Sequence, residues 1–201
     1  MARQFIYHMQ GLTKKFGNKT ILDNIHLSFY PDAKIGVVGV NGSGKSTLLK
    51  IMAGLDEEVS GEHWAAEGAK VGYLPQEPRL NNDKDVWGNV QEAVQPVQDL
   101  LDKFNEYSEK LAEPLEPEAM EKLLDAQAKV QDKIDATDAW EIDRRVEIAM
   151  SAMNLPPGDA DVTKLSGGER QRVELGRVLL QLWHQLQKGE ALVLLDEPLQ
   201  G

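Results

Sequence analysis

The chain has 201 residues, 41% hydrophobic and 27% charged, which suits one large globular domain or one domain with an insertion. A formal net charge of −11 argues against broad nucleic-acid binding, which rests on Lys and Arg neutralising phosphates, but leaves open a local patch for docking on a ribonucleoprotein. With no cysteine, disulfides and thiolate metal sites are excluded and a cytoplasmic location is expected; no apolar leader and no run near the roughly 18 residues of a membrane span is seen.

Residues 3–9 alternate loosely and predict a first strand. Residues 11–19 are polar and turn-rich and read as a loop. Residues 21–29 alternate again and end at Pro31-Asp32, a second strand and a turn. Phe16 falls on the loop, where its ring is either a stacking surface for a nucleotide base or a partly buried loop aromatic. The apolar run at 34–38 predicts a strand. Gly39, Val40, Asn41, Gly42, Ser43, Gly44, Lys45 and Ser46 then spell G-x-x-x-x-G-K-S at the start of a helix. The glycines let backbone N–H groups curl round an anion, and the helix N-terminus adds partial positive charge. Lys45 is expected on the β- and γ-phosphates and Ser46 on Mg²⁺.

The P-loop helix is expected to reach Ala53, with Gly54 as its C′ residue. Residues 61–68 read as irregular, with Trp64 unassigned. Residues 69–74 predict a strand stopped by Pro75. Gln76 just beyond it either touches Mg²⁺ or water, or is an ordinary loop residue. Val97, Leu101, Phe104, Ser108 and Leu111 form one helical stripe, and Met120, Leu123, Gln127, Val130 and Ile134 a second. Between them Glu113-Pro114-Leu115-Glu116-Pro117 makes the turn of an αα-hairpin. Over 97–139 there are 12 Asp or Glu against 5 Lys or Arg, so the segment is either a packed helical subdomain with a solvated face or a projecting arm.

An amphipathic helix is expected over residues 140–153, with Trp140, Val146, Ile148, Ala149 and Met153 on its apolar face. Ser166, Gly167 and Gly168 make a small-residue turn before another periodic helix. Alone this is a helix cap; beside the P-loop it reads as a second anion site, which one protomer lends to the phosphates of another. Residues 191–195 predict a central parallel strand buried on both faces. Asp196 at its end is placed to hold Mg²⁺, directly or through water, and Glu197 to polarise the attacking water.

The set of motifs in this order resembles the ATP-binding-cassette ATPases. The resemblance implies Walker A at Gly39 to Thr47, an A-loop aromatic at Phe16 and a Q-loop glutamine at Gln76. It likewise implies the signature at residues 165–169 and Walker B ending in Asp196 and the catalytic Glu197. The implied fold is an α/β nucleotide-binding domain over 1–201 with an N-terminal antiparallel β subdomain and an inserted helical hairpin at 95–139. ATP and Mg²⁺ are the implied cofactors, and a second cassette, on the same or another chain, the implied partner. Residues 41–49, 71–78 and 138–162 are most similar to the ABC-F subfamily, which has no transmembrane partner. ABC-F members bind the ribosome near the tRNA exit site.

Two departures accompany the resemblance. The residues after Glu197 are Pro198-Leu199-Gln200-Gly201 instead of the ABC-F pattern, and 181–190 reads longer, as in importer ATP-binding subunits. No candidate for the family's switch histidine follows Asp196, so this chain alone is expected to bind nucleotide weakly and hydrolyse it poorly. An importer subunit and a non-catalytic nucleotide-binding fragment are the rival expectations.

Overall fold

The computed structural model describes residues 5–196, which form two compact units. The first takes the chain up to Arg79 and again from Leu182; the second spans Leu80–Gln181.

In the first unit, β1 (Tyr7–Phe16) and β2 (Lys19–Phe29) form an antiparallel hairpin, and β3 (Ser60–Ala65) pairs with the other edge of β1. The expected loop at 11–19 is therefore corrected: β1 continues to Phe16, which pairs with Lys19 across Gly17-Asn18. Gly17 has φ 56°, as a tight hairpin with glycine at its first central position requires. Register shifts between Met9 and Leu12 and again between Leu12 and Lys14 break the alternation of apolar residues, which hid the strand. The expected irregular stretch at 61–68 is likewise corrected. It is largely β3, a strand too polar to show an apolar face. Gly61 lets it approach β1 closely, because a Cβ there would stand 2.4 Å from the Gly11 carbonyl oxygen.

The strands β4 (Lys70–Leu74) and β5 (Ala191–Leu195) pair in parallel, with Leu74 opposite Leu195. Two expectations fail here. The run 34–38 joins no sheet among the described residues, and Val38 is 96% exposed. Nor is β5 covered on both faces, since Leu195 is 39% exposed. Apolar composition alone does not make a strand; it needs a partner for its backbone ladder. Helix α1 (Lys45–Met52) buries Leu48, Ile51 and Met52 in a core with Met9, Leu12, Leu22, Phe29 and Leu194.

The second unit is helical: α2 (Val86–Leu111), α3 (Pro117–Thr137), α4 (Ile142–Ala152) and α5 (Gly167–Gln181). Helix α2 begins well before the stripe that announced it and runs through Pro96. Its start is held by Asp85, which accepts a hydrogen bond from the Gly88 N–H at 2.7 Å. Fully buried Asn89 donates to the carbonyls of Asn81, Lys84 and Asp85 and accepts from the Asn81 N–H, so it fastens the preceding loop to the helix. The expected helix at 140–153 begins later, after a 3₁₀ turn at Ala139–Glu141. Trp140 is half exposed rather than on the buried face: its indole N–H donates to Asp135, and its ring meets Phe104 edge-on at 5.2 Å. Ile148 also points outward, while Ile142, Val146 and Ala149 join the core with Val86, Val90, Val162 and Val173. Buried Arg145 donates to the Thr137 carbonyl and pairs with Asp138, linking the end of α3 to α4. Helix α6 (Trp183–Lys188) returns the chain to the first unit and leads into β5.

Candidate functional site

The P-loop spans residues 39–46 and ends in α1. Gly44 caps the helix with φ 97°, and a Cβ on it would come within 2.8 Å of Ile21. A Cβ on Gly39 would stand 2.6 Å from the Ser43 hydroxyl, so side chains at either position would crowd the loop. Lys45 folds back over it: its ammonium donates to the carbonyls of Gly39 at 2.7 Å and Val40 at 3.1 Å. Asn41, Gly42 and Ser43 form the exposed crest, and Thr47 follows in the first turn of α1.

Parallel pairing of β4 with β5 carries Asp196 to this loop. Its backbone N–H continues the ladder to the Leu74 carbonyl at 3.0 Å. Its carboxylate, only 6% exposed, accepts from the Ser46 hydroxyl at 2.8 Å and from the Tyr73 hydroxyl at 2.9 Å. Burial, then the hydrogen bond to Asp196, pushes the Tyr73 phenol well above its ordinary value. Two residues 150 positions apart in sequence, Ser46 and Asp196, thus share one oxygen-lined point. Such hard oxygen donors fit Mg²⁺. Among the described residues no larger cluster of His, Asp or Glu offers a metal site. Gln76 lies two residues past β4 and is exposed. Glu197 lies outside the described residues.

Phe16 ends β1, 55% exposed, with the Lys14 ammonium 5.0 Å from the centre of its ring. Residues Ser166, Gly167 and Gly168 belong to the second unit. There the Ser166 hydroxyl and backbone N–H both donate to Glu169, and the Glu169 N–H returns a bond to the Ser166 oxygen. This reciprocal capping box opens α5 and holds the Glu169 carboxyl below its usual range, chiefly through the Ser166 hydroxyl.

A family profile described as ABC transporter matches residues 22–200. The chain belongs to the ABC transporter family. Family membership implies that this cassette binds nucleotide. It is 49% identical over 195 residues to the energy-dependent translational throttle protein EttA of Mycobacterium tuberculosis, covering 97% of this chain and 33% of that protein. With EttA of Haemophilus influenzae the identity is 44%, over 98% of this chain and 34% of the relative. The cassette therefore spans about a third of the length of these curated relatives. Among solved structures it resembles cbiO1 from Clostridium perfringens, described as part of the ABC transporter complex cbiONQ. The TM-score is 0.55 at 16% identity, with 96% of this chain and 78% of that one covered, a likeness of fold.

Two residues at the site escaped sequence reasoning. Tyr73 carried only a faint signal, a phenol one step before the end of a core strand. Lys14 carried none, because a lysine in an apparent loop reads as solvated. Among the described residues no helix is long and apolar enough to cross a membrane.

Proposed function

We propose that this cassette binds ATP with Mg²⁺ and hydrolyses it as part of an ABC-F type protein that acts at the ribosome and gates elongation in the cytoplasm. The observation that carries the reading is the 49% identity to a translational throttle protein along nearly the whole chain. The hairpin of α2 and α3, with helices of 26 and 21 residues, supports it, and residues 95–139 are assigned as the inserted arm on this reading.

The P-loop N–H groups and Lys45 would grip the β- and γ-phosphates. Ser46 and Asp196 would hold the metal, Gln76 is assigned to the metal or its water, and Phe16 would stack on the base. Bound Mg²⁺ would supply charge neutralisation on the phosphate oxygens. Glu197 is assigned the orientation of water at the γ-phosphorus. Ser166 to Gly168 are assigned to the phosphates held by a second cassette, in the same or another chain.

The test is co-sedimentation with ribosomes, with and without a non-hydrolysable ATP analogue. A nucleotide-dependent shift into the pellet is expected; no shift in either condition overturns the ribosomal reading. A second reading, an importer subunit, is favoured by the extended connection at 181–190, which contains α6. Binding to a membrane subunit's cytoplasmic helix, without ribosome binding, would support it. Phosphate release by the 201-residue chain is expected to be slow. Brisk release that Glu197→Gln abolishes would contradict this, and tight ATP binding without any release would mark a non-catalytic module.

A further inference from the structure

We propose that Lys14 is a positioning residue for the base-stacking face of Phe16 and ties that face to the P-loop helix. The proposal rests on the reading of Phe16 as the side chain that meets the base.

Lys14 and Phe16 are two apart on β1. The Lys14 side chain is only 2% exposed, and its ammonium donates to the Asp56 carboxylate at 2.6 Å and to the Glu58 carbonyl at 2.9 Å. Burying an ammonium is costly unless such partners receive it. The Lys14 bond holds the Asp56 carboxyl below its ordinary value. The Glu58 carboxylate stands 3.9 Å away, and Lys50 adds a further positive charge beside Asp56.

The same ammonium lies 5.0 Å from the centroid of the Phe16 ring. One face of the ring is thereby taken by a cation, while the side chain stays 55% exposed. A cation on one face draws π density inward and leaves the outer face poorer in electrons. That is the surface on which an electron-rich purine stacks well. The contact also limits rotation of an otherwise exposed side chain, so less freedom is lost on stacking.

Asp56 and Glu58 follow closely on α1, which ends at Met52 and begins with Lys45 and Ser46. An eight-residue helix thus joins the phosphate end of the site to the support of its base platform. A lysine that merely pinned the 54–59 loop would need Asp56 and the carbonyl but no ring.

The test is calorimetric binding of ATP and of inorganic tripolyphosphate to the 201-residue chain and its Lys14→Met, Phe16→Ala and doubly substituted forms. Lys14→Met is expected to weaken ATP about fivefold or more, to leave tripolyphosphate unchanged, and to add nothing once Phe16 is Ala. Lys14→Arg, which keeps the cation, is expected to recover most of the ATP affinity. Equal losses for ATP and tripolyphosphate, or additive losses in the double variant, overturn the proposal in favour of a purely structural lysine. Loss in Phe16→Ala with none in Lys14→Met overturns the role of Lys14 alone. Unchanged ATP affinity in Phe16→Ala overturns the stacking reading as well. Should Lys14→Met fail to fold, Asp56→Asn loosens the same ammonium: it is expected to weaken ATP selectively, and an unchanged ATP affinity counts against the proposal.

Discussion

Asp196 is buried at the end of an apolar strand and is kept there by donated protons. Ser46 and Tyr73 each donate to a different one of its oxygens, and its own N–H continues the sheet. Removing one donor leaves a buried carboxylate oxygen unsatisfied, which costs about 1–3 kcal/mol. Tyr73→Phe is therefore expected to lower the urea midpoint with an unchanged slope, and an unmoved midpoint would refute the role of this bond. Ser46→Ala removes the hydroxyl assigned to the metal as well as a donor to Asp196. ATP titrations with and without Mg²⁺ are expected to converge in that variant. If Mg²⁺ still raises ATP affinity as it does in the unaltered chain, Ser46 is not a ligand.

Helix α5 begins with the Ser166–Glu169 capping box, and the folded-state pKa of Glu169 lies below its ordinary 4.5. A carboxyl so lowered contributes stability above its unfolded value, and that stability is lost as pH falls through the folded one. Glu169→Ala is expected to reduce the thermal midpoint at pH 7, with the gap to the unaltered chain closing as the pH drops below 4.5. A gap independent of pH would mean that the carboxylate is not the capping group. Asn89, in the first turn of α2, does comparable work for the loop before that helix, with both polar atoms of its side chain bonded and the residue fully buried. Asn89→Leu is expected to destabilise the second unit by about 2–4 kcal/mol, measured by denaturant unfolding, since several backbone groups lose their partner at once. Helix periodicity announced the α2–α3 pair, because one apolar stripe per helix is a local property. It misplaced Trp140, because a bulky ring that finds Asp135 and Phe104 need not enter the core. The second half of β1 and the polar β3 were illegible because period-two patterning needs an unbroken register and an apolar face: β1 shifts register after Met9, and β3 has no fully buried residue.

Over the molecule as a whole, the apolar run beside the P-loop is the least satisfied feature. Ile35 is 55%, Val38 96% and Val40 80% exposed, and β5 has one pairing neighbour among the described residues. Exposed apolar residues and open sheet edges each invite association with other chains. The chain is expected to self-associate at high concentration, and Val38→Lys to shift sedimentation velocity toward the monomer. Identical sedimentation of the two would show that this run is covered. The glycine-rich loop ahead of α1, the Ser166 turn ahead of α5 and Asp196 after β5 could each be located in the sequence, because each is a contiguous pattern of small, basic, hydroxyl or acidic residues beside a helix or strand. So was the family, since those pieces occur in one order. Folding had to supply the meeting of Ser46, Tyr73 and Asp196 and the lodging of Lys14 between Asp56 and Phe16. Those contacts join residues remote in the chain, and strand pairing, which no local pattern encodes, sets the distances between them.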